Sequence, residues 1–81
     1  MVIKIYTKSG CKYCTQVKEL MQRAGFEYEE INCDTKNARM QFYVECPDAK
    51  TYPYVIIDGE PIGGLVETAK LFIEKGLVSS R

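Results

Sequence analysis

The chain has 81 residues, with four cysteines, no histidine and no tryptophan, and its eleven basic side chains balance eleven acidic ones. That length suits one compact domain over residues 1–81, and 46% hydrophobic with 27% charged residues is the makeup of an ordinary soluble globule. Zero net charge argues against nucleic-acid binding by phosphate neutralisation, and the missing histidine excludes mixed thiolate–imidazole zinc sets and any triad with a histidine base.

In the opening Met1-Val2-Ile3-Lys4-Ile5-Tyr6, Lys4 interrupts the apolar run, and no small-residue cleavage site of a signal peptide follows. No later run approaches a membrane span. The expected compartment is the cytoplasm, where thiols stay reduced and cysteines read as redox or metal chemistry before structural disulfides. Val2 to Tyr6 alternates apolar and polar residues and predicts a strand; Thr7-Lys8-Ser9-Gly10 is a turn cluster leading to Cys11. From Lys12 to Ala24, Tyr13, Val17, Leu20, Met21 and Ala24 recur at helical steps, and Gly25 stands where a C-terminal cap belongs. Phe26 to Ile31 alternates again and predicts a second strand, although its glutamates lower the propensity.

Asn32-Cys33-Asp34-Thr35 reads as a turn and helix start, followed by a helix over 37–45 with Ala38, Phe42 and Cys46 on one face and a stop at Pro47. Pro53 precedes the strand Tyr54-Val55-Ile56-Ile57; Asp58-Gly59 is a hairpin turn and Glu60-Pro61-Ile62 the return strand. Gly63-Gly64 breaks the chain before a last helix that buries Leu65, Ala69, Phe72 and Ile73 and ends near Gly76. A strand–helix–strand unit followed by helix, hairpin and helix gives an α/β chain with a mixed four-stranded sheet flanked by three helices, a thioredoxin-like fold.

Cys11-Lys12-Tyr13-Cys14 follows a strand and opens a helix, the setting in which such a pair is a redox motif. The spacing alone is not specific, because a cysteine at a helix start also serves as a small buried hydrophobe and one close pair is half of a zinc site. Position and neighbours weigh toward redox chemistry. Unpaired N–H groups and the positive dipole end stabilise an anion at Cys11, Lys8 and Lys12 add charge, and together they predict a lowered thiol pKa there. Cys14, a turn deeper, is expected to be less exposed and to attack a mixed disulfide held on Cys11. Cys33 and Cys46 stand outside any pair motif and read as structural; a four-cysteine zinc site would need a second close pair.

Four segments in order, Tyr6-Thr7-Lys8, Gly10-Cys11-Lys12-Tyr13-Cys14, Thr51-Tyr52-Pro53 and Ile62-Gly63-Gly64, resemble the glutaredoxin family over nearly the whole chain. The resemblance implies a small thiol–disulfide oxidoreductase of the dithiol type, with glutathione as reducing co-substrate, no metal, and no membrane or nucleic-acid partner. It implies glutathione and protein disulfides such as those of ribonucleotide reductase as partners, and a monomer is the default expectation for a chain of this size. It also implies that Pro53 is cis and faces the active cysteines, whereas the residues alone leave a trans or an edge-blocking proline open. By the same resemblance Lys8 meets a carboxylate of glutathione, Tyr13 rims its groove, and the Tyr52 backbone pairs with the glutathione cysteine. Gly64 allows close approach, the N–H groups of Leu65 and Val66 take the γ-glutamyl carboxylate, and Arg39 is a second carboxylate partner.

Two departures bear on function. Lys12 replaces the proline common after the first cysteine, and Val66 stands where an aspartate would meet the glutathione ammonium, so that either Glu67 reaches in its place or glutathione binds more weakly. The second departure keeps open a glutaredoxin-like electron donor reduced by a thioredoxin reductase. A glutaredoxin that holds an iron–sulfur cluster is a further alternative, disfavoured by Tyr13 and Cys14.

Overall fold

The central strand is β1, Ile3–Thr7, whose alternation sends Ile3 and Ile5 to one face of the sheet and Tyr6 to the other. The computed structural model describes residues 2–47, 49 and 51–78, and among these three helices and one four-stranded sheet are found. Strand β2, Glu29–Asn32, runs parallel to β1 with Ile5 opposite Glu30; β3, Tyr54–Ile57, lies antiparallel on the other side with Val55 opposite Ile5. Strand β4, Glu60–Gly63, pairs antiparallel with β3, giving the order β2-β1-β3-β4. The outer strands are therefore β2, with Glu29 and Glu30, and β4, with Pro61.

Helix α1, Lys12–Ala24, crosses between β1 and β2 and buries Cys14, Val17, Leu20 and Met21. Tyr13, expected on that buried face, is 59% exposed, because the helical phase that aligns Val17 and Met21 brings Cys14 inward in its place. The predicted strand over 26–31 is shortened to Glu29–Asn32. Gly25 takes a left-handed φ of 77°, and the N–H groups of Gly25 and Phe26 are spent on the carbonyls of Gln22 and Met21, closing α1. Phe26 and Tyr28 then pack on the core from the connecting segment without joining the ladder.

Helix α2, Lys36–Glu45, starts from Thr35, whose Oγ1 accepts the Ala38 N–H at 3.2 Å, and ends at Cys46. Helix α3, Leu65–Glu74, buries Thr68 and Phe72. Ile73, also expected inside, is 42% exposed, and Leu71 packs against the core in its stead. Helices α1 and α3 cover one face of the sheet around Ile3, Ile5, Val17, Met21, Val55 and Phe72. On the other face α2 inserts Phe42 among the rings of Tyr6, Tyr52 and Tyr54, at centroid distances of 4.8, 4.9 and 5.8 Å. This is the thioredoxin-like arrangement, with the β1–α1 junction standing free at one end of the sheet.

Candidate active site

The junction after β1 places Cys11 as the N-cap of α1, with extended backbone angles (φ −91°, ψ 107°). Its Sγ accepts the Cys14 N–H at 3.1 Å, so the sulfur sits on an N–H that the helix leaves unpaired. Cys11 is half-buried and Cys14 only 2% exposed, and the two form a disulfide with Cα atoms 5.2 Å apart. The asymmetry fits an outer attacking sulfur and an inner resolving one.

The turn leading to Cys11 is tied down from β2. Asp34 accepts the Ser9 N–H at 2.7 Å and the Ser9 hydroxyl, and the Cys33 N–H donates to the Thr7 carbonyl at 2.7 Å. These Ser9 bonds, hydroxyl first, hold the Asp34 carboxyl below the usual carboxylate range.

On one side of the disulfide lies a polar pocket of about 400 Å³, lined by Cys11 and Cys14 together with Lys8, Lys12, Lys18, Thr15, Glu30 and Asn32. The two lysines expected beside Cys11 are there, joined by Lys18. A carboxylate also arrives, which the stretch between Cys11 and Glu19 lacks. Glu30 reaches across from β2, where its Oε2 accepts the Thr7 hydroxyl at 2.8 Å and the Lys18 ammonium at 3.2 Å. The Thr7 bond is the main reason the Glu30 carboxyl is lowered, with Lys18 adding to it.

On the other side is a groove of about 240 Å³ formed by Tyr13, Thr51, Tyr52, Pro53, Gly64, Leu65, Val66 and Glu67. The Tyr52–Pro53 peptide is cis, as the resemblance implied. Gly63 has φ 122°, and a Cβ there would stand 3.0 Å from Glu67 Cγ and Oε1, so glycine is required for Glu67 to fold back over the start of α3. Glu67 Oε1 accepts the Gly64 N–H at 2.8 Å, leaving a carboxylate in the groove next to the exposed Val66.

Of the predicted site residues, Tyr13, Tyr52, Pro53, Gly64, Leu65 and Val66 thus meet in one groove. Lys8 lines the pocket with Cys11 and places its ammonium 5.7 Å from the centre of the Tyr52 ring, linking the two sides. Arg39 lines neither: it lies on exposed α2, with its charge near Asp34 and Tyr52. Lys18 and Glu30 were not singled out in the sequence, and Thr51 only as part of the Thr51-Tyr52-Pro53 segment. A Glu67 three residues after Gly64 carries the spacing of a helix-capping acid, a signal that was available.

Cys33 and Cys46 are buried free thiols in the core under α2, apart from the disulfide, and burial pushes both thiols up. The Tyr52 hydroxyl is buried beside Cys33, without a hydrogen-bond partner of good geometry among the described residues, and is pushed up to about 12, chiefly by burial.

The glutaredoxin family model matches residues 3–62. Glutaredoxin-C2 of Arabidopsis thaliana is 33% identical over 79 residues, covering 94% of this chain and 71% of that protein. Among solved structures, glutaredoxin 1 from Francisella tularensis complexed with cacodylate superposes with a TM-score of 0.78 at 32% identity, over 94% of this chain and 95% of that one. The buckwheat glutaredoxin–glutathione complex superposes with a TM-score of 0.74 at 26% identity, over 94% of this chain and 71% of that one. With a helix-capping Cys11–Cys14 disulfide, a cis-proline in the groove beside Tyr13 and these relatives, the chain belongs to the glutaredoxin family of thiol–disulfide oxidoreductases.

Proposed function

We propose that the protein is a dithiol glutaredoxin that takes its electrons from glutathione. The observation that carries the reading is the Cys11–Cys14 pair at the N-terminus of α1, flanked by a groove that ends on the N-terminus of α3. In the reduced protein the Cys11 thiolate attacks a disulfide R–S–S–R′. A bond forms from Cys11 Sγ to one sulfur, and R′–S⁻ leaves with the electron pair. Cys14 then displaces R–S⁻, which closes the Cys11–Cys14 disulfide, and two glutathione molecules return the pair to thiols as they become glutathione disulfide.

Binding follows from the groove. The Tyr52 backbone lies beside the cis-proline, where an extended peptide can pair with it, and Tyr13 forms the outer wall. The N–H groups at Leu65 and Val66 suit a carboxylate, Lys8 suits another, and Glu67, whose Oε1 already holds the Gly64 N–H, supplies the negative charge that Val66 cannot. The glutathione bound in the buckwheat relative supports this assignment. Protein disulfides and glutathionylated proteins are the expected substrates.

The test combines two variants with a choice of reductant. Cys11→Ser is expected to lose reduction of a small mixed disulfide to background, and Cys14→Ser to keep exchange with glutathionylated substrates. Full activity in Cys11→Ser ends the reading. Turnover of the oxidised protein is expected to be faster with glutathione and glutathione reductase than with a thioredoxin reductase, and the reverse order overturns the glutathione half.

A further inference from the structure

The resolving step needs a base that the proposed mechanism has not named. When Cys14 attacks the mixed disulfide on Cys11, its thiol proton must leave. An ordinary thiol with a pKa near ~8.5 is only a few per cent thiolate at neutral pH. The chain has no histidine to take that proton. Lys8, Lys12 and Lys18, which face the pocket from the turn and from α1, are donors as ammonium groups, and Thr15 and Asn32 are neutral. Glu30 is the one carboxylate lining the pocket that holds Cys14.

Its placement is specific. Thr7, fully buried in β1, and Lys18 on α1 both bond Oε2, so the carboxylate is oriented from two elements while Oε1 takes no protein hydrogen bond among the described residues. Glu30 and Cys14 line the same polar pocket, whose volume of about 400 Å³ admits water to carry a proton.

We propose that Glu30 is the proton acceptor for Cys14 in the resolving step, held in place by Thr7 and Lys18. The step balances as follows. The Cys14 S–H bond breaks and its proton passes to the Glu30 carboxylate through water. The Cys14–Cys11 S–S bond forms, the bond from Cys11 to the substrate sulfur breaks, and that sulfur leaves with the electron pair. The proton held on Glu30 then returns through solvent to the departing thiolate. The proposal rests on Cys14 being the resolving thiol.

Dipyridyl disulfide separates the steps in a single turnover of the reduced protein, because attack by Cys11 releases one thiopyridone and resolution by Cys14 releases the second. A wild-type protein that releases only the first would refute the resolving role of Cys14 itself, an outcome distinct from failure of Glu30. Given a second release, Glu30→Gln is expected to lower the ratio of the second rate to the first at neutral pH by at least about tenfold. Its second phase should lose the flat neutral region and climb with pH, and Glu30→Asp should recover most of the rate. An unchanged ratio, or equal slowing of both phases, overturns the proposal. Lys18→Met, which keeps the carboxylate and removes its cation, is expected to move the acid limb of the second phase to higher pH; an unmoved limb likewise overturns it.

Discussion

Each of the four cysteines is defined by what surrounds its sulfur. Cys11 sits on a helix N–H at a half-open surface, whereas Cys33 and Cys46 are enclosed by Tyr6, Phe42 and Ala49 and held protonated by burial. Iodoacetamide applied to the reduced native protein at neutral pH is therefore expected to label Cys11 first. Cys33 and Cys46 should react at least ~100-fold more slowly until denaturant is added, since a buried thiol must wait for local opening. Peptide mass spectrometry over a time course checks this, and equal labelling at either position would contradict their packing. At this scale the sequence was informative wherever the cause is local. A cysteine pair after a turn and before a helical pattern can be read from neighbours alone. The contact of Glu30 with Thr7 and Lys18 cannot, because it joins three elements whose side chains meet only after β2 has paired with β1.

Among the elements, α3 carries two tasks on one side chain. Glu67 closes the first turn of α3 by accepting the Gly64 N–H, and the same carboxylate lines the groove assigned to glutathione. The tasks can be separated. Glu67→Gln keeps an acceptor oxygen for Gly64 but removes the charge, whereas Glu67→Ala removes both. Urea unfolding should show Glu67→Ala less stable by about 1 kcal/mol and Glu67→Gln by less, as expected for a lost helix cap. Steady-state kinetics should show a raised KM for glutathione in both. An unchanged KM in Glu67→Gln would remove the charge from the binding account. Helix positions were legible in the sequence because apolar spacing sets them, yet the exact face was missed where an aromatic or branched residue sits on the margin, as with Tyr13 and Ile73. The early start assigned to β2 failed for another reason: capping of α1 consumes the N–H of Phe26, and alternation of side chains does not reveal that.

For the molecule as a whole, the balanced charge conceals a division of labour in which carboxylates from the β2 side fasten the active-site turn. The Asp34 and Glu30 carboxyls both lie below their ordinary range. Groups whose folded pKa is depressed stabilise the fold fully above the unfolded carboxyl range and lose that contribution as pH falls through the folded value. The gap in unfolding midpoint between wild type and Asp34→Asn is accordingly expected to be widest near pH 7 and to close toward pH 3. A gap that persists at low pH would assign the effect to lost geometry instead of charge. The topology itself was readable from the order of patterns, since a strand–helix–strand unit fixes two parallel neighbours and a hairpin adds an antiparallel pair.

The outer strands limit how far that sheet can grow. An exposed ladder edge is a template on which another extended chain can polymerise. Here an added strand along β2 would have to strip water from Glu29 and Glu30, and along β4 it would meet Pro61, which has no N–H to offer. The same small set of residues that ends the fold thereby guards it against filament formation.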